Sequence, residues 1–127
     1  MSLNLVLLVA LGGALGSVAR YLVGVAAGKL FGADFPWGTV TVNVLGSIIM
    51  GLFIGLLSLK FNGSQALRVF FAVGILGGFT TLSSFALDSV TLWERGAYLS
   101  ASGYVIGTLI ASIGGLVAGL WIVRSFA

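Results

Sequence analysis

The chain has no cysteine and no histidine in its 127 residues. That excludes disulfides, thiolate catalysis, cysteine metal sites and imidazole chemistry. Acids are nearly as scarce: Asp34, Asp88 and Glu94 are the full set. Charged residues make up 7% of the chain, against roughly a quarter in an ordinary soluble domain. The net charge of +3 comes from six Lys and Arg spread thinly, so no basic patch offers itself to nucleic acid. The N-terminus lacks the basic flank of a cleaved signal peptide and reads as a first span.

Apolar residues dominate, at 59%, together with 20 glycines. A spanning helix needs about 20 mostly apolar residues. Four segments qualify: Leu3 to Val25, Pro36 to Leu59, Ala66 to Leu92 and Tyr98 to Val123. The connections are short. The expected fold is an all-α membrane protein with four transmembrane helices in one domain over residues 1–127.

The third segment is unusual. Gly74 to Phe85 holds three glycines and four hydroxyl residues near mid-membrane. Irregular backbone at that depth persists only where protein or a water-filled cavity satisfies its polar groups. A broken third helix, with a binding or permeation site at the break, is therefore expected.

Orientation follows from the basic residues. With four spans, Lys60, Arg68 and Arg124 share one side, and Arg20, Lys29 and Arg95 the other. Topology is set by Lys/Arg asymmetry between short loops, and three against three gives none. Insertion both ways up is an open expectation, and inverted copies can pair as an antiparallel dimer. Glycines four residues apart (Gly12 and Gly16, Gly24 and Gly28, Gly51 and Gly55, Gly103 and Gly107, Gly115 and Gly119) point to close helix packing.

Two helices carry polar groups at i, i+4, i+8. Thr39, Asn43 and Ser47 share a face of the second span; Tyr104, Thr108 and Ser112 share a face of the fourth. For Asn43, interhelical glue and ligand contact are equally good readings. Single hydroxyls can satisfy themselves on the carbonyl one turn back, but two aligned faces can also form a track for a small solute. No acid or base is expected in the middle of a span. That weakens a proton-coupled exporter, which needs an embedded carboxylate, and a cation pore lined by acidic rings. Neutral donors and an aromatic ring edge, as at Phe85, suit a small, strongly hydrogen-bonding anion.

Three ordered motifs then carry a resemblance. They are Gly12-Gly13-Ala14-Leu15-Gly16-Ser17-Val18-Ala19-Arg20-Tyr21, Gly38-Thr39-Val40-Thr41-Val42-Asn43-Val44-Leu45-Gly46 and Gly77-Gly78-Phe79-Thr80-Thr81-Leu82-Ser83-Ser84-Phe85. In these motifs, span number and length, the chain resembles the Fluc (CrcB) family of bacterial fluoride channels. The resemblance implies an antiparallel, dual-topology homodimer in the inner membrane, with two passive fluoride-selective pores and a structural sodium ion. It implies fluoride and the lipid bilayer as partners, fluoride resistance as the role, and neither an enzymatic activity nor an organic cofactor.

Carried over by position, the resemblance places Asn43, Ser83, Phe85, Tyr104, Thr108 and Ser112 along the fluoride pathway. It puts Arg20, at the end of span one, in an aqueous vestibule, where an interfacial anchor is an equally good reading. Carbonyls of Gly77 and Thr80 would hold sodium. Leu82 stands where the family often has phenylalanine, so this pathway position lacks a ring edge. Ser84 stands where threonine is frequent and keeps the hydroxyl. A small dual-topology multidrug exporter and a non-transporting helical assembly subunit are the alternatives.

Overall fold

The computed structural model describes residues 2–60 and 62–126. Helix α1 covers Leu3–Phe31. It runs past the expected end at Val25 because nothing from Ala26 to Phe31 stops a helix. Gly32 does, at φ 78°, and its N–H bonds the carbonyl of Gly28. Helix α2, Trp37–Lys60, follows Pro36; proline suits a helix start because its missing N–H would have no partner there.

The third span divides. Gln65–Leu67, the π-helical Arg68–Leu76 and Gly77–Phe79 run on continuously and are together called α3. After two extended residues, α4 covers Leu82–Glu94. Gly96, at φ 81°, turns the chain into α5, Tyr98–Ser125. A nine-residue π stretch is long, since such windings usually span a single turn and cluster at functional sites. Nothing in the sequence pattern pointed to it.

Glycines decide which helices touch. A Cβ at Gly12 or Gly16 would run into the backbone of α3 at Phe70 and Ile75. At Gly51 it would strike the Leu116 carbonyl, and at Gly119 it would come within 2.6 Å of the Ile48 carbonyl. So α1 is pressed onto α3, and α2 onto α5, at backbone-to-backbone distance. The stacked rings of Phe53 and Phe71, 4.4 Å apart, join α2 to α3. Two expected packing pairs behave differently. A Cβ at Gly24, Gly28, Gly103 or Gly107 would meet nothing within 4 Å.

The interior is small. Leu92, Ala101 and Tyr104 form its buried centre, covered by Phe35, Val40, Phe85 and Ala97. Among the described residues, four helical segments are long and apolar enough to cross a membrane, and only 11% of the most apolar window of α1 or α5 is buried within the chain. Apolar surface this extensive and continuous is untenable in water. The protein is a multi-pass membrane protein.

Candidate functional site

The site is built around the two extended residues between α3 and α4. Thr80 (φ −84°, ψ 159°) and Thr81 (φ −154°, ψ 117°) take ordinary extended backbone. Ending one helix and starting another leaves carbonyls without partners on one side and N–H groups on the other. In an apolar surrounding each orphan is costly, and here named side chains meet several of them.

Thr80 closes α3 itself: its N–H and its hydroxyl both donate to the Leu76 carbonyl, at 3.0 and 2.9 Å. Arg20 Nε donates to the Gly78 carbonyl at 3.0 Å. Thr81 caps α4, its hydroxyl oxygen accepting from the N–H of Ser84 at 3.2 Å. Asn43, from α2, grips the Thr81 backbone on both edges. Its Oδ1 accepts from the Thr81 N–H at 2.8 Å, and its Nδ2 donates to the Thr81 carbonyl at 3.1 Å. The amide has two N–H bonds, and this pairing uses one.

Beside this junction lies a cleft of about 300 Å³ between α2, α4 and α5. Asn43, Ser47, Leu82, Phe85, Thr108 and Ser112 are among its lining residues, and no charged side chain is. Five of the sequence-expected pathway residues are thus brought together. Ser47 is spent locally, donating to the Asn43 carbonyl at 2.7 Å. Thr108 is buried. Ser112 Oγ is buried and has no hydrogen-bond partner among the described residues.

Other expected residues fall elsewhere. Tyr104 does not line the cleft. It is 1% exposed, packed between Phe35 (5.5 Å) and Phe85 (5.1 Å). Ser83 is exposed and shares a 3.3 Å hydrogen bond with the Thr81 hydroxyl. Gly77 is exposed, and Thr80 lines the cleft. Arg20 does not stand at the end of its span: α1 continues about three turns beyond it. The continuation without a breaker puts Arg20 half-buried beside α3 instead of at a helix end. It borders a second cleft, of about 500 Å³, that also reaches Thr39, Thr81 and Ser84.

Asp88 was missed as a site residue. It lies inside α4, and its Oδ2 accepts from the Thr39 hydroxyl at 2.8 Å and the Tyr104 hydroxyl at 3.0 Å. The available signal was physical. An acid within an apolar segment is expensive unless partnered, and two of the polar residues already singled out are its partners.

Fold and site together define a helical membrane protein with a neutral, hydrogen-bonding cleft where two extended residues separate α3 from α4. The chain belongs to the CrcB family: residues 7–120 match the family described as "CrcB-like protein, Camphor Resistance (CrcB)". Similar curated proteins include the "Fluoride-specific ion channel FluC 1" of Nitrobacter hamburgensis, 52% identical over 98% of both chains. The "Fluoride-specific ion channel FluC" of Nitrobacter winogradskyi is likewise 52% identical over 98% of each. That of Rhodospirillum centenum is 50% identical over 97% of this chain and 98% of its own.

Proposed function

We propose that this protein is a passive, fluoride-selective channel that releases cytoplasmic fluoride across the bacterial inner membrane. The observation that carries the reading is the cleft. It gathers an amide, hydroxyls and the ring of Phe85 with no full charge among its lining residues. Neutral donors bind a small anion firmly enough to admit it and weakly enough to let it go. The start of α4 opens beside the cleft, and the positive end of a helix favours an anion there. The names of the similar proteins agree with this solute.

In this reading the extended pair is a break of the third span at mid-membrane. Asn43 offers its spare N–H, Phe85 its ring edge, and Thr108 and Ser112 their hydroxyls. Leu82 contributes only apolar volume. Tyr104 backs Phe85 from behind, and Ser83 lies toward the outer edge. Two inverted copies form the working unit, an antiparallel homodimer with two pores. The bare glycines Gly103 and Gly107, where an added Cβ would meet nothing within 4 Å among the described residues, suit close approach of a second copy.

A structural sodium ion fits the end of α3. The carbonyls of Gly77 and Thr80 would hold it, as unwound carbonyls at a half-helix C-terminus do for sodium elsewhere. Around Gly77 the space is open, since a Cβ there would meet only the Ala72 carbonyl at 3.7 Å. The ion would supply positive charge to bind two inverted α3 ends.

Fluoride efflux from proteoliposomes, followed with a fluoride electrode, tests the function. Rapid loss of trapped fluoride is expected, with trapped chloride retained. Retention of fluoride by liposomes holding folded protein would end the reading. Accessibility tags on the C-terminus should label from both faces of the membrane; labelling from one face alone would remove dual topology.

A further inference from the structure

We propose that Arg20 is a positioning residue for the α3–α4 junction. Its guanidinium caps the end of α3 and, opposite Asn43, holds Thr80 and Thr81 extended. The Gly78 carbonyl is among the last of α3 and has no helical partner to follow it. Arg20 Nε donates to it at 3.0 Å. The C-terminal end of a helix carries partial negative charge, so a cation there is doubly favourable. Among the described residues no carboxylate pairs with Arg20, which leaves this carbonyl as its identified partner.

The contact depends on the glycines around it. A Cβ at Gly78 would come within 2.7 Å of the Gly13 carbonyl and 3.1 Å of the Ser17 backbone nitrogen. A Cβ at Gly16 would strike Ile75. Small residues on both sides let α1 lie directly on the end of α3, and Arg20, one turn past Gly16, then reaches the carbonyl. The junction is therefore gripped twice. Arg20 holds it from α1 through Gly78, and Asn43 holds it from α2 through Thr81. Released on the α1 side, the α3 end can wind on, and the Thr81 peptide turns away from Asn43.

A positioning role differs from simple attraction of anions. Attraction needs only positive charge. Capping needs a donor at the Nε position, and lysine has a methylene there. The experiment compares Arg20→Lys, Arg20→Met and the unaltered protein; methionine has a similar length and carries a methyl, with no donor, at the Nε position. The flux arm rests on the fluoride-channel reading. Both variants should lose roughly tenfold or more of the maximal fluoride flux, the scale of a lost hydrogen bond from a charged donor. The loss should persist at saturating fluoride and in both low and high salt. Flux restored by lysine, or a loss that disappears at saturating fluoride, would overturn the proposal.

A second arm is independent of transport. Gly78–Phe79 is the only Gly-Phe step in the chain, so ¹³C-carbonyl glycine with ¹⁵N-phenylalanine isolates a single carbonyl by NMR. That resonance should move upfield in both variants, and an unchanged resonance would overturn the proposal. If neither variant folds, dipolar recoupling between arginine side-chain ¹⁵N and glycine carbonyl ¹³C in the unaltered protein decides. A contact of hydrogen-bond length supports the cap; its absence overturns it. An unaltered protein that passes no fluoride but shows the contact would end the channel reading and leave the cap standing.

Discussion

Helices α2 and α5 carry polar groups at the same i, i+4, i+8 spacing, yet the structure uses them in opposite ways. On α2 all three groups are engaged by protein. Thr39 donates to Asp88, Asn43 grips Thr81, and Ser47 bonds its own helix. Of the three on α5, only Tyr104 is so committed among the described residues. Further along, Thr108 lines the cleft and Ser112 is left with a buried hydroxyl and no partner among the described residues. Equal spacing defines a face; spare hydrogen-bonding capacity decides what the face can do. On α2 that capacity is one N–H of Asn43, and on α5 it is the lower hydroxyls.

The largest effect that would break this contrast is at Asn43. Asn43→Leu strips both partners from the Thr81 backbone, at about 1–3 kcal/mol for each buried group left unsatisfied. Flux should vanish and the thermal midpoint of the purified protein should fall markedly. Normal flux with a normal midpoint would show that Asn43 neither clamps nor conducts.

Gly16→Ala comes next. Its new Cβ meets the Ile75 carbonyl, and such overpacking costs about 1–3 kcal/mol. Gly103→Ala, whose Cβ meets nothing within 4 Å among the described residues, should not destabilise the isolated subunit and should weaken only the association of copies. Thermal melts and dimer dissociation measured side by side separate the two. Equal behaviour would mean that the bare glycines are not a contact surface.

Tyr104→Phe keeps the ring on Phe85 but leaves Asp88 with Thr39 alone. A loss of about 1–3 kcal/mol is expected, and it should shrink in an Asp88→Asn background. A double-mutant cycle on stability reads the coupling, and strict additivity would show that the two side chains do not communicate.

The smallest effects sharpen the contrast most. Ser112→Ala removes a buried polar atom that has no protein partner, so stability should hold or rise by up to about 1 kcal/mol. Flux should nonetheless fall if that hydroxyl serves the anion. Ser47→Ala should change stability by no more than about 0.5 kcal/mol and leave flux intact, because its hydroxyl is already satisfied on α2. Identical flux for the two variants would erase the distinction drawn between the helices.

Four spans were legible in the sequence because hydropathy and length are local properties. The extension of α1 was legible too, in the absence of any breaker before Gly32, and was missed by stopping at Val25. The π winding of α3 was not legible, since it arises where α3 lies against α1. Most of the cleft was legible as well: Asn43, Leu82, Phe85, Thr108 and Ser112 were singled out on residue type, spacing and resemblance, and they meet. Asp88 was signalled only as an acid within an apolar segment; its partner, and the true setting of Arg20, were not legible, because Thr39 and Gly78 lie far along the chain from them.

What the sequence by itself determined is the solvent this protein requires and the faces its helices present, since both follow from hydropathy and the helical period. Only the tertiary structure decided which polar groups are consumed and which remain available. A hydrogen bond between residues 38 or 58 positions apart leaves no trace in local pattern. In an apolar surrounding, the groups left over after those bonds form are the ones a passing solute can find.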